Sequence, residues 1–326
     1  MVSEWTKFFA VRLPIAVLTV GLAIEGIAAL LGGVTLHRHN VDDLANAVTH
    51  DSRPYTVVLL GDSVTHEVSN AYRIGDIGEV ADLTTHALAG LPSELFLLKR
   101  YLDSGHQPRH VVLAVSRHLF TEPVGKATFN YYITSVFRLP YERAFLQSHY
   151  GDDVNYEWRP AALAITTRVA EPVMSLLRHP GDQIWSSPVP PAANPVLERI
   201  SDYSEDEPGL KVLSNGPTEI RPEARAILAE FCQLSLRHHF SLHLIWAPVL
   251  PKLRTALKAS GAGQRIDEQL AEIFRQNHTQ VSIDDSSDHQ EYPYFDRDLI
   301  HIRGLGWEQV YANQLTAYVR AFESGQ

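Results

Sequence analysis

From Tyr55 to Phe322 the chain alternates short continuous apolar runs with longer stretches whose apolar residues recur every three or four positions. Continuous short runs read as strands buried on both faces, and the three-to-four spacing reads as amphipathic helix. The pattern predicts strands over 55–60, 80–85, 111–115, 242–246 and 281–283. Between and after them it predicts a helix opened by Pro92, with Leu95, Leu98 and Leu102 on one face and Ser93 and Glu94 in its first turn. Further helices are predicted from Glu223 to Arg237, from Ile266 to Gln276, and from Trp307 to Phe322, the last with Val310, Tyr311, Leu315, Tyr318 and Phe322 inward. Strand and helix in repetition imply the α/β class, with a doubly wound, mostly parallel sheet and right-handed crossovers. In such sheets functional groups gather at the carboxyl ends of strands.

Two regions depart from that rhythm. Residues 120–220 are rich in aromatics early on (Phe129, Tyr131, Tyr132, Phe137, Tyr141, Phe145, Tyr150, Tyr156 and Trp158). A helix-like stretch from Ala161 to Leu177 and the cluster Pro188-Val189-Pro190-Pro191 follow. This reads as a long insertion beside the active edge of the sheet, or as a packed subdomain without a part in chemistry. Its aromatics suit sugar stacking, but their irregular spacing favours burial.

The second departure is N-terminal. Leu13 to Gly33 is apolar apart from Thr19 and Glu25, and Lys7 and Arg12 precede it. Twenty-one residues at ~1.5 Å each span about 31 Å, the thickness of a bilayer core. The chain is therefore expected to carry an N-terminal transmembrane helix within residues 1–33. A polar linker over 34–54 with a short helix from Val41 to Thr49 comes next, and then a domain over 55–326. The basic flank places the N-terminus in the cytoplasm and the domain outside. A cleaved signal peptide is the rival reading, although no small-x-small site ends the run. Glu25 costs roughly 2.5–3.5 kcal/mol inside a bilayer. Either the surrounding apolar residues absorb that cost or Glu25 meets a polar group on a membrane partner.

Composition narrows the function. The chain has 326 residues, 45% hydrophobic and 20% charged, which is ordinary for a globular fold. A net charge of −10 argues against nucleic acid, whose phosphates require a basic face. The single cysteine, Cys232, rules out an internal disulfide and falls in a helical pattern as a core thiol. His37-x-His39, His238-His239 and His243 are the densest histidine groups, placed so that they do not converge on one ion. Asp284-Asp285 with Asp288-His289 lacks the glycine-spaced pattern of a calcium loop. No phosphate loop or dinucleotide glycine pattern occurs, so neither a metal nor a cofactor is expected.

The candidate chemistry lies at two distant places. Gly61-Asp62-Ser63-Val64 ends the first apolar run, and Asp298-Leu299-Ile300-His301 precedes the last helix. A serine hydroxyl becomes a competent nucleophile when a base takes its proton, and histidine suits that task near neutral pH. A carboxylate on the other ring nitrogen holds the tautomer and stabilises the imidazolium. Ser63, His301 and Asp298 supply those three roles. The bland alternative for Gly-Asp-Ser is a helix cap closing a strand.

Gly61-Asp62-Ser63-Val64-Thr65 and Asp298-x-x-His301 resemble the nucleophile and terminal blocks of the SGNH (GDSL-like) hydrolase superfamily. That resemblance implies a three-layer α/β/α fold and a Ser63, Asp298, His301 triad. It also implies an oxyanion hole built from the backbone N–H groups of Ser63 and of Gly90 in His86-Ala87-Leu88-Ala89-Gly90. The family's third block carries an asparagine that donates to the oxyanion, whereas here the third strand ends in Ser116-Arg117-His118. Losing such a donor costs about 10²–10³ in rate, and Arg117 or His118 is the candidate substitute. With the membrane anchor, these departures resemble the envelope proteins that work beside membrane-bound O-acyltransferases in alginate or cellulose acetylation or teichoic-acid D-alanylation. The resemblance implies a serine O-acyltransferase or esterase acting on acyl groups of an extracytoplasmic polymer. Its expected partners are the bilayer, a multi-span acyltransferase and a carbohydrate substrate. The alternative is a non-catalytic scaffold on the same fold.

Overall fold

The computed structural model describes residues 8–13, 15, 16, 19, 20, 23, 40–50, 53–76, 78, 80–85, 90–156, 216–286, 302 and 307–324. The chain divides into two compact units, Met1–His39 with Asn155–Asn194, and Asn40–Val154 with Pro195–Gln326. The second unit holds a five-stranded parallel sheet: β1 (Val57–Gly61), β2 (Val80–Asp82), β3 (His110–Val115), β4 (Ser241–Trp246) and β5 (Val281–Asp284). Its helices are α1 (Asn40–His50), α2 (Ser63–Tyr72), α3 (Gly90–Asp103), α4 (Pro140–Tyr150), α5 (Pro222–His238), α6 (Pro251–Ser260), α7 (Ala262–Gln276) and α8 (Trp307–Ser324).

The strands lie in the order β2-β1-β3-β4-β5, with Leu59 beside both Asp82 and Val112, and Val112 beside His243. The chain moves from β1 outward to β2, then returns past β1 to β3 and continues to β5. The order thus reverses between β1 and β3, where an open α/β sheet leaves a crevice at its carboxyl edge. The continuous apolar character of β1, and of β3 after His110, follows from this placement, because both faces of each strand are covered. One face, carrying Val57, Leu59, Val112, Ala114 and Ile245, packs against Val64 and Val68 of α2 and Tyr311, Ala312, Leu315 and Val319 of α8. Val58, Leu60, Val111, Leu113, Val115 and Trp246 alternate with these residues and are also buried. On this evidence of burial and of contacts of α3 with β1 and α5 with β4, the sheet is the middle of three layers.

The expected elements are present with shifted ends. Leu83 and Thr85 donate their N–H groups to the Leu59 and Gly61 carbonyls, each at 2.8 Å, so pairing runs to residue 85 as the apolar pattern predicts. α3 begins at Gly90, two residues before Pro92, and the Ser93 hydroxyl donates back to the Gly90 carbonyl at 2.7 Å. α6 lies in a stretch where no helix is predicted; Pro251 occupies its first turn, where the missing N–H has no partner to lose. The helix expected in the polar linker is α1, and it packs on α3 with Val41, Ala45 and Val48 buried.

Within the insertion, α4 sits against α3. The Phe96 ring meets Phe137 at 5.1 Å and Phe145 at 5.8 Å between centroids, and Phe129 and Phe137 are buried. Arg100 of α3 donates to both oxygens of Glu142, at 2.7 and 2.9 Å, and Glu142 is fully buried. These aromatics serve packing. Trp158, Ala161 to Leu177 and the proline cluster lie outside the described residues, as do Glu25, His37 and most of Leu13–Gly33. Among the described residues no helix is long and apolar enough to cross a membrane.

Candidate active site

β1 delivers the chain to the crevice and α2 leaves it, so the intervening turn faces the carboxyl edge of the sheet. Gly61 ends β1 where a Cβ would stand 2.7 Å from the Ala114 carbonyl oxygen and 2.7 Å from the Thr65 side chain, and only glycine fits there. Asp62 is next, 1% exposed. Its Oδ1 accepts from the N–H groups of Val64 (3.1 Å) and Thr65 (3.5 Å), which caps α2, and its Oδ2 accepts from Ser116 N–H at 2.7 Å. One carboxylate therefore closes the first turn of α2 and ties it to the end of β3. Thr65 adds a second tie by donating to the Ala114 carbonyl at 2.8 Å, and the Tyr311 hydroxyl of α8 lies 3.0 Å from Thr65 Oγ1.

Ser63 is the first residue of α2 and only 7% exposed. At a helix N-terminus the unpaired N–H groups and the macrodipole favour negative charge. A hydroxyl oxygen that gains anionic character on attack is favoured at this position. The capping role of Asp62 is compatible with the expected role of Ser63, since the cap holds the serine at the head of the helix.

Gly90 heads α3 with φ +65°, a conformation that side chains strain, and a Cβ there would meet Val124 at 3.1 Å. Beneath it lies a buried polar cluster. Thr85 donates to Glu94 Oε1 at 2.7 Å, the Ser93 and Thr85 hydroxyls are 3.4 Å apart, and Thr85 N–H bonds the Gly61 carbonyl. Gly90 is thereby linked through Ser93 and Thr85 to the turn carrying Ser63. Glu94 is 1% exposed. Burial pushes its carboxyl well above the usual range; the Thr85 hydrogen bond opposes this, and the nearby charges of Asp62 and Asp82 add to it. Burial, the largest influence, and the two carboxylates favour the neutral acid, while the hydrogen bonds with Thr85 and the Gly61 backbone favour the charged one.

At the end of β3 the Arg117 guanidinium lies 4.4 Å over the Trp246 ring and 3.5 Å from Asp267 Oδ2. His118 opens a single helical turn, His118–Thr121, and lines a narrow cavity with Arg117, Leu253 and Leu257. The described contacts of Arg117 thus engage it with Trp246 and Asp267.

Asp298 and His301 lie outside the described residues. Their neighbour Ile302 is described, 3% exposed, and belongs to the same core cluster as Val64, Val68 and Tyr311. Four polar residues, His66 and Ser69 on α2 with Asp82 and Thr84 at the end of β2, carry no role in the sequence reading. His66 Nδ1 stands 3.0 Å from the Thr84 carbonyl, which accepts only, so that nitrogen carries a proton. Thr84 donates to Asp82 Oδ1 at 2.7 Å, and Ser69 Oγ bonds the other Asp82 oxygen. Helical spacing from Ser63 to His66 was the available signal. Among the described residues no group of three His, Cys, Asp or Glu side chains converges as a metal site would.

No protein-family model matches the chain, and no curated protein matches it. Solved structures do show likenesses, one of them a GDSL-like lipase from Bacteroides thetaiotaomicron. That protein is 9% identical, with a TM-score of 0.40 over 88% of this chain and 98% of the other. A likeness so distant carries no argument about activity.

Proposed function

We propose that the chain is a membrane-anchored serine esterase or O-acyltransferase that moves acyl groups on an extracytoplasmic carbohydrate polymer. The observation that carries this reading is the placement of Ser63. It heads α2 at the β1/β3 reversal, held by Asp62, while Ile302, next in the chain to His301, shares its core cluster with Val64. In the proposed cycle Ser63 Oγ attacks the acyl carbonyl carbon and His301 takes the hydroxyl proton. Asp298 orients His301, and the N–H groups of Ser63 and Gly90 receive the oxyanion. The leaving group departs with the proton from His301. A sugar hydroxyl or water then gives its proton to His301 and attacks the acyl carbon; the bond to Ser63 Oγ breaks and His301 returns the proton to that oxygen, which restores the enzyme.

The anchor is supported by the N-terminal residues that are described. Phe8, Phe9, Leu13, Ile15 and Val20 are all exposed, and the Thr19 hydroxyl donates to the Ile15 carbonyl at 2.8 Å. A polar group satisfied within its own helix and apolar side chains facing outward suit a lipid surround. Glu25 is assigned to a contact with a multi-span partner. Glu25→Leu is expected to leave hydrolysis unchanged while reducing co-purification with such a partner, and unaltered co-purification would remove the contact.

One observation favours a second reading, a scaffold whose triad is idle: Arg117 is engaged by Trp246 and Asp267 where the third oxyanion donor would stand. Hydrolysis of p-nitrophenyl acetate by the wild type and by Ser63→Ala separates the two readings. A fall of about 10⁶-fold in the variant is expected for a triad serine, with fluorophosphonate labelling confined to Ser63. Equal rates would leave the scaffold.

A further inference from the structure

Glu94 is a buried acid that the proposed cycle does not use. It lies on α3 four residues after Gly90, one helical turn in from the head. Its carboxyl meets two segments of the sheet. Thr85, just past β2, donates its hydroxyl proton to Oε1 at 2.7 Å, and the Gly61 backbone at the end of β1 bonds the same carboxyl. The Thr85 N–H completes a ring of contacts by donating to the Gly61 carbonyl at 2.8 Å. On the helix side the Ser93 hydroxyl donates to the Gly90 carbonyl at 2.7 Å, and its oxygen rests 3.4 Å from the Thr85 hydroxyl. Thr85 and Ser93 are fully buried and Glu94 is 1% exposed, so solvent does not reach these bonds.

This cluster joins the two backbone amides assigned to the oxyanion. Ser63 follows Gly61 by two residues, and Asp62 between them ties the turn to β3. Gly90 sits at the head of α3 with φ +65°. The spacing of two N–H donors decides whether they hold an oxyanion together, and a misplacement of about 1 Å costs about 10²-fold in rate. Glu94 fixes where the Thr85 hydroxyl points, and Thr85 lies between the Gly61 and Gly90 turns.

Stability alone does not explain an acid here. Among the described residues Glu94 Oε2 is buried without a hydrogen-bond partner, a standing cost that an apolar residue would not carry. Burial raises the carboxyl well above its usual range, and the charged groups acting on it, Asp62 at the nucleophile turn and Asp82 at the end of β2, push the same way. The acceptor for Thr85 is therefore needed, and the negative charge is not: a third carboxylate would repel the one that caps α2.

We propose that Glu94 is a positioning residue for the oxyanion hole, which through Thr85 and the Gly61 backbone sets the amide of Ser63 against that of Gly90. The proposal rests on the acyl-transfer reading above and adds to it the residue that shapes the site of the transition state. At 1% exposure Glu94 acts through the backbone and not on the substrate.

The test measures p-nitrophenyl acetate hydrolysis and fluorophosphonate labelling of Ser63 by the full-length protein in detergent, with folding followed by circular dichroism. Glu94→Ala is expected to lower kcat about 10²-fold with KM held within about threefold, the pattern of an interaction realised in the transition state. Thr85→Val keeps the N–H bond to Gly61 and is expected to show the same loss. The double variant is expected to fall no further, because both residues act along one path. Glu94→Gln offers Thr85 an acceptor with no charge and is expected to retain kcat within about threefold. A merely structural role would lower stability and leave the rates of the folded fraction intact. Unchanged kcat in folded Glu94→Ala and Thr85→Val would therefore overturn the proposal. So would additive losses in the double variant, or Glu94→Gln falling as far as Glu94→Ala. A wild type that neither hydrolyses nor takes the label sinks the acyl-transfer reading by itself, and hydrogen exchange then decides the positioning role. Faster exchange of the Ser63 and Gly90 amides together in Thr85→Val supports the link between the turns, and unchanged exchange overturns it.

Discussion

At the carboxyl ends of β1 and β3, buried polar groups hold backbone in place: Asp62 grips three N–H groups from two elements, and Thr85, Ser93 and Glu94 join the Gly61 and Gly90 turns. Towards the amino ends of β3, β4 and β5 the polar groups grip one another. His110 Nδ1 lies 3.1 Å from His243 Nε2, His243 Nδ1 lies 2.6 Å from Ser282 Oγ, and the Phe322 ring of α8 stacks on both imidazoles. At the first edge the side chains fix turns that place Ser63 and Gly90 at the heads of two helices. At the second they fill the space between strands and the end of α8. Side-chain chemistry alone would have ranked the histidine edge as the more reactive one. What separates them is whether polar atoms are spent on backbone geometry or on each other.

The contrast can be broken most directly at Asp62. Asp62→Ala removes the cap of α2 and strands the Ser116 N–H in the interior, for a loss of about 2–4 kcal/mol. Denaturant unfolding should show that loss, with fluorophosphonate labelling of Ser63 falling in parallel. Intact labelling would mean that the turn is held by other contacts. Gly61→Ala is the next largest. Its methyl would press on the Ala114 carbonyl, an overpacking cost of about 1–3 kcal/mol, read as a lower thermal midpoint. A midpoint equal to that of the wild type would show that the β1–β3 approach is looser than 2.7 Å implies.

The smallest effect belongs to the histidine edge and is seen in pH dependence. Burial lowers His243 to about 4, with the charge of His110 adding to the shift, and burial lowers His110 with help from Arg109. Because both imidazoles titrate below the ordinary value of about 6.5, the unfolded chain binds more protons between about pH 4 and 6.5. Stability therefore rises with pH across that window and is fully present above it. The thermal midpoint of the wild type should drop as pH falls from 6.5 to 4, and His243→Leu should flatten that slope. A slope unchanged in the variant would place the acid sensitivity elsewhere.

Much of the scaffold was legible. Val57 to Leu60 and Val111 to Val115 are apolar without interruption because helices cover both faces, and the Gly-Asp-Ser turn follows the first of them as the motif implies. The capping role of Asp62 was legible too, since Asp before a helix is a local signal. Its third bond, to Ser116, reaches across 54 positions and depends on the β1–β3 register, which no local pattern encodes. The sequence places Glu94 in the first turn of an amphipathic helix and says nothing of its depth. It is buried because that turn of α3 lies over the Gly61 and Thr85 backbone. The spacing of apolar residues says which way a helix faces, whereas the depth of its end depends on the loops around it.

Cys232, the sole thiol of the chain, sits on α5 with no exposed surface, and burial raises its pKa while a hydrogen bond to Thr279 opposes the shift. A reagent that consumes thiolates can reach it only when the layer formed by α5 parts from the sheet. The molecule thus contains an internal clock: the rate at which a disulfide dye reacts with the unaltered protein reports how often that layer opens, with no engineered label required.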